Sequence, residues 1–147
     1  MKIEIKEIEA METYPVRHSI LRPHQDPSTC VYPGDEAPTT FHLGAFNEGK
    51  LIGIASFYKE KNLAFEQESQ YQLRGMATLS EYRGMNIGMQ LIIEAETILK
   101  EHQVDLWWCN ARMVAIGFYE KLGLSVHGGI FEIEPIGLHK VMFRELA

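Results

Sequence analysis

Cysteine is scarce in this chain. Cys30 and Cys109 are the only two among 147 residues, too few for a disulfide framework, so free thiols in a reducing, cytoplasmic setting are expected. Long apolar runs are missing too. No stretch approaches the roughly 20 residues that span a bilayer, and the opening MKIEIKEIEA lacks the apolar segment of a secretory signal. No membrane role is expected. Positive charge is in the minority, with 14 Lys and Arg against 20 Asp and Glu and a formal charge of −6. That balance argues against nucleic acid as a partner, which needs a net basic face, but leaves room for a local basic pocket. Several catalytic signatures are also absent. Without Gly-Lys-Ser/Thr there is no Walker A loop, and without GxGxxG and a downstream acid there is no dinucleotide fold. Without Gly-x-Ser-x-Gly an acyl-serine hydrolase is not expected. His18, His24, Cys30 and His42 do not show the paired spacing of metal ligands, and no metal is expected.

What is present suits one globular domain over residues 1–147. Hydrophobic residues make up 46% and charged residues 23%, close to the globular norm. A chain of this length buries roughly 68–70% of its unfolded surface. Lys2 to Ile8 alternates apolar and charged residues and reads as a strand with one wet face. Glu9 to Leu21 reads as a helix capped near Thr13, with Pro15 in its first turn and Pro23 stopping it. Pro23 to Thr40, rich in proline, is a long loop of the kind that often binds ligands. Phe41 to Asn47 and Leu51 to Tyr58 read as a hairpin, with Asn47 and Gly49 supplying the turn. Tyr71 to Leu79 is another strand, and Met89 to Lys100 a helix with apolar residues at helical spacing. Val104 to Cys109 is a short apolar strand, Ala111 to Leu122 a helix closed by Gly123. Leu124 to Val126, Ile130 to Ile133 and Leu138 to Arg144 complete the strands. The order is that of a mixed α/β domain.

The strand–turn–helix from Tyr71 to Lys100 carries the chemistry. Its turn, Arg83-Gly84-Met85-Asn86-Ile87-Gly88, has the parts of an anion site. The first N–H groups of a helix have no intrahelical partner and lie at the positive end of its dipole. Small residues let a phosphate approach the backbone, and Arg83 adds charge and donors. On composition alone a plain strand-to-helix turn with incidental glycines has about equal claim.

This turn resembles the acyl-CoA pyrophosphate loop of the GNAT N-acetyltransferases, Arg/Gln-x-x-Gly-x-Gly/Ala. Met76-Ala77-Thr78-Leu79-Ser80-Glu81-Tyr82 resembles the strand and turn before that loop. Asn110-Ala111-Arg112 and Gly117-Phe118-Tyr119-Glu120-Lys121-Leu122-Gly123-Leu124 resemble the family's later helix and strand. The likeness runs from about Phe41 to the C-terminus, with an acyl-CoA core at about 71–123. It implies a single GNAT-like domain, a mixed, mostly antiparallel central sheet flanked by helices, and transfer of an acetyl group from acetyl-CoA to a primary amine. A non-catalytic acyl-CoA-binding domain is the alternative. A homodimer is a fair prior for a small enzyme.

The resemblance assigns the pantetheine arm to the backbone of Met76, Ala77 and Thr78, and the pyrophosphate to Arg83, Gly84, Met85, Asn86, Ile87 and Gly88. Locally Asn110 reads first as a helix N-cap; in similar proteins an Asn at this point also contacts the CoA arm, and one residue can do both. Tyr119 is the expected proton donor to the leaving thiolate. The family often has a glycine where this chain has Asn86, the residue that best tolerates a left-handed backbone after glycine. The acidic base that many relatives carry on the central strand is missing from Gln70-Tyr71-Gln72-Leu73-Arg74-Gly75, which leaves Glu68 or His139 as candidates. Gln72 and Arg74 are the candidate acceptor-site residues, Arg74 suiting a carboxylate or phosphate. Asp35 and Glu36 in the long loop, and the chain's acidity, suit instead a cationic amine. Trp107 and Trp108 alternate faces, one in the core and the other at the cleft or a dimer surface. Cys109 reads as a core thiol.

Overall fold

In the computed structural model, which describes residues 2–146, ten principal elements follow the predicted order. They are β1 (Ile3–Ile8), α1 (Ala10–Val16), β2 (Phe41–Asn47), β3 (Lys50–Lys59), β4 (Gln70–Thr78), α2 (Ile87–Glu101), β5 (Leu106–Arg112), α3 (Ile116–Lys121), β6 (Ser125–Ile133) and β7 (Gly137–Glu145). The seven strands form one sheet in the order β1-β2-β3-β4-β5-β7-β6. Every junction is antiparallel except β4 with β5, which run parallel. Among the described residues no helix is long and apolar enough to cross a membrane.

The sheet is covered on both faces. On one face α2 lays down Ile87, Leu91, Ile92, Ala95 and Leu99 at helical spacing. They pack with Leu43, Phe57, Leu73, Trp107 and Met142 in the main core. On the other face α1 and its continuation pack Val16 against Ile54 and Ala77. Trp107 is fully buried on the α2 face, where its Nε1 donates to Glu96 at 2.8 Å. Trp108 faces the other way but borders neither cleft nor open surface. Phe65 covers it, and its Nε1 donates to the Glu60 carbonyl at 3.0 Å.

Local chemistry moved several boundaries. Helix α1 starts at Ala10, because Glu9 and Glu12 close a capping box between side chains and backbone. Thr13 is buried inside the helix and donates to the Ala10 carbonyl, and Pro15 sits within it. The chain then widens into a π-type turn over Arg17–Leu21. The hairpin turn is Glu48-Gly49, both at positive φ (49° and 80°), while Asn47 still pairs with Lys50 in the ladder. Strand β5 runs through Asn110, Ala111 and Arg112, where a helix was expected. Cross-strand partners Val141, Lys140 and His139 on β7 hold these residues extended, so α3 starts only at Ile116. Asn110 is thus a strand residue, not a helix cap.

Two irregularities shape the middle of the sheet. Opposite β3, strand β4 bulges around Gly75, whose φ is +65°. A side chain there would be strained, and its Cβ would meet Tyr32 at 3.1 Å and Arg17 Nε at 3.3 Å. Beyond the bulge β4 parts from β5. The parallel pairing joins only Gln70, Gln72 and the residue between to Leu106–Trp108. From Leu73 onward the two strands splay, and the facing edge of β4 has no strand beside it.

Candidate active site

The splay opens a cleft of about 800 Å³. Its floor and walls come from β4 (Gln72 to Thr78) and β5 (Cys109 to Arg112). The loop into α2, the start of α3, and the N-terminal segment carrying Ile20, Arg22 and Tyr32 close the sides. Parallel strands that stop pairing leave their diverging backbones for a ligand between them, because the N–H and C=O groups of β4 on that side have no ladder partner.

At one end lies the loop from Arg83 to Gly88. Asn86 precedes α2 in the left-handed conformation, with φ 62° and ψ 25°. Asparagine tolerates that backbone where most side chains do not, so the loop keeps its turn without the middle glycine. The N–H groups of Gly84, Met85 and Asn86 donate to no backbone carbonyl among the described residues, and those of the first turn of α2 have none to reach. Gly88 is set by packing: a Cβ there would lie 2.9 Å from the Phe118 ring of the neighbouring helix. The loop therefore approaches α3 closely while its donors stay open. Arg83 is exposed and forms no ion pair among the described residues. This arrangement of free donors, a helix N-terminus and an unpaired guanidinium fits the phosphates of an acyl-CoA.

Tyr119 and His139 line the same cleft. Tyr119 is buried, and burial, then the neighbouring Cys109, push its phenol above its ordinary value against a smaller opposing pull from Arg112. Its hydroxyl has no hydrogen-bond partner among the described residues. Its phenol therefore keeps its proton at neutral pH. His139, also buried, donates from Nδ1 to the Gly137 carbonyl at 2.7 Å. In a neutral ring that leaves Nε2 as the basic nitrogen. Glu68 is elsewhere: its carboxylate is largely exposed and pairs with Lys61 at 3.1 Å, off the cleft. Cys109 reaches the cleft edge, but burial raises its thiol to about 12, so it stays a neutral thiol.

Of the residues assigned to the coenzyme, only Met85 lies off the cleft; it is 45% exposed. Gln72 and Arg74 line the wall together, Arg74 Nε donating to Gln72 Oε1 at 3.2 Å. The long loop contributes Tyr32 and Pro33, as expected, but not its acids. Asp35 turns inward and forms a two-point ion pair with Arg17, at 2.7 and 3.1 Å. Glu36 borders a separate shallow depression. Arg22, Arg112, Phe118 and Ile136 also line the cleft. None carried a periodic or motif signal of its own; Arg112 and Phe118 lay inside matching segments without an assigned role.

The fold, the cleft between splayed strands and the open N–H donors before α2 point to the acyltransferase class, and comparison narrows it. Residues 4–124 match the family model described as Acetyltransferase (GNAT) family. The chain is 46% identical over 144 residues to the "Uncharacterized N-acetyltransferase YitI" of Bacillus subtilis (strain 168), covering 98% of this chain and 97% of that one. Among solved structures, Ard1 from Thermoplasma volcanium superposes with a TM-score of 0.80 at 15% identity, covering 100% of this chain and 99% of the other. An aminoglycoside 6'-N-acetyltransferase complexed with coenzyme A superposes at 0.78 with 13% identity, covering 98% and 97%. This chain belongs to the GNAT acetyltransferase family and is an acyltransferase.

Proposed function

We propose that this chain moves an acetyl group from acetyl-CoA to a primary amine by direct attack in a ternary complex. The observation that carries the reading is one cleft with open phosphate donors at the α2 end and both Tyr119 and His139 on its lining. The coenzyme A bound in the aminoglycoside 6'-N-acetyltransferase relative supports the same donor.

In this reading Arg83 and the backbone from Gly84 to Gly88 hold the pyrophosphate. The free edge of β4 at Met76, Ala77 and Thr78 pairs with the pantetheine arm as an added strand would, and Asn110 contacts that arm from β5. The acceptor arrives as an ammonium and must lose a proton before it attacks. His139 Nε2 takes that proton, directly or through water. The amine nitrogen bonds to the thioester carbonyl carbon, the C–S bond breaks, and the departing thiolate takes the phenolic proton of Tyr119. The buried phenol is protonated at neutral pH, the state a donor needs.

Titration with acetyl-CoA, followed by a thiol-release assay with amines, tests this. Tyr119→Phe is expected to bind acetyl-CoA within about threefold of wild type and to lose about a hundredfold in kcat. Unchanged transfer by that variant would remove Tyr119 from the mechanism. Wild-type protein that does not bind acetyl-CoA would sink the assignment.

A further inference from the structure

The charge of the cleft is opposite to the charge of the chain. Among the described residues, Arg22, Arg74, Arg83 and Arg112 line it, and no aspartate or glutamate does. None of those four arginines is in an ion pair among the described residues. Arg83 sits at the phosphate end. Arg74 does not: it lies four residues before Thr78, roughly 13 Å back along the strand at about 3.3 Å per residue, on the far side of the Gly75 bulge.

Arg22 shares that region, because its guanidinium carbon lies 5.3 Å from the Tyr32 ring and Tyr32 packs on Gly75. Arg74 is held in place by two contacts, the hydrogen bond to Gln72 and the face of Tyr58 at 5.0 Å. Both leave its terminal nitrogens without a partner among the described residues. A half-buried guanidinium fixed this way is a preorganised site for a carboxylate. Around it the lining is apolar, with Ile20, Leu21 and Pro33 on the N-terminal segment. A cationic polyamine would meet like charge there and no acid to pair with.

Resting on the transferase reading above, we infer that the acceptor is an amine that also carries a carboxylate and an apolar substituent, with Arg74 as the principal carboxylate contact and Arg22 as its neighbour. The net charge of −6 misleads on this point.

The test pairs acids with their amides: leucine with leucinamide, methionine with methioninamide, phenylalanine with phenylalaninamide, plus 3-methylbutylamine and spermidine, all in the thiol-release assay. The expected result is kcat/KM about ten- to a hundredfold higher for an acid than for its amide. Arg74→Ala should bring that ratio near one, and acetyl-CoA titration of the same variant reports that it folds. Thiol release with amides, 3-methylbutylamine or spermidine at or above the acids overturns this inference and leaves the transferase reading standing. No thiol release with any amine, despite acetyl-CoA binding, overturns both. A second readout needs no turnover. Calorimetric titration of the CoA-saturated protein should find N-acetyl-leucine, or another of the acetylated acids, binding at least about tenfold tighter than its amide; equal binding in every pair overturns the inference.

Discussion

Four arginines line the cleft and a fifth, Arg17, lies against the Gly75 bulge, and they fall into two kinds. Arg17 is fully buried, and its terminal nitrogens all have partners: Asp35 at two points, the Cys30 carbonyl at 2.8 Å, Ser56 and Tyr58 at 3.0 Å. Its guanidinium stacks on Tyr32 at 4.0 Å, and only Nε, against Gly75, lacks a partner. The network closes on itself. Tyr58 donates to Asp35, and Ser56 passes its hydrogen to His42 Nδ1 while His42 Nε2 donates to the Asp35 carbonyl. Arg22, Arg74, Arg83 and Arg112 form no ion pair among the described residues and line the cleft. Partners, not residue type or net charge, separate the arginine that builds the site from those free to meet ligands. Tyr32 joins the two kinds, packing on Arg17, Arg22 and the bulge together.

Breaking the sealed side should have the largest effect. Arg17→Ala strands the Asp35 carboxylate in the interior and is expected to cost about 3–5 kcal/mol of stability, read by denaturant unfolding. Arg17→Met, which keeps the volume, together with Asp35→Asn should recover part of that loss. A wild-type midpoint in Arg17→Ala would show that the pair contributes nothing.

The same contact can be titrated. Burial raises the Asp35 carboxyl, but hydrogen bonds from Arg17, Tyr58 and the Tyr32 N–H outweigh it, and its pKa lies below the usual 3.8. A carboxyl depressed in the folded state contributes stability that is complete above its unfolded pKa and is lost as pH falls through the folded one. Stability should therefore hold down to about pH 4 and fall below it. In Asp35→Asn the acid limb should be shallower; an unchanged limb would assign acid unfolding to other carboxylates.

On the open side the effects are smaller and read in binding. Arg83→Ala is expected to weaken acetyl-CoA about tenfold by calorimetry and to leave the unfolding midpoint within about 0.5 kcal/mol, as for an exposed residue. A large loss of stability with unchanged affinity would place Arg83 among the structural arginines.

The open side was the more legible in sequence. Glycines, a helix start and an arginine within six residues are local chemistry, and the loop, the central strand and Tyr119 all border the one cleft. The sealed side was not legible. Its members at positions 17, 30, 35, 42, 56 and 58 come from a π-type turn, a proline-rich loop and two strands, and no period or spacing joins them. Asp35 therefore looked like an acceptor-site acid. Asn110 misled for a related reason: its local pattern suits a helix cap, and only pairing with Val141 across the sheet keeps it extended. Arg22 and Ile136 reach the cleft through tertiary placement alone.

The smallest effect is expected at Asn86. Its left-handed backbone costs a side chain something and glycine nothing, and its amide forms no cap hydrogen bond to α2. Asn86→Gly should then keep the loop's shape and bind acetyl-CoA within about threefold of wild type, a difference of roughly 0.6 kcal/mol. Asn86→Val sharpens the comparison, because a β-branched residue at that φ is strained by about 1–2 kcal/mol. It should weaken binding through the backbone even though no phosphate contact has been removed. If Asn86→Gly instead loses tenfold or more, the amide itself reaches the ligand. Asn86 would then join Arg83 as a side chain that binds, rather than one that only turns the chain.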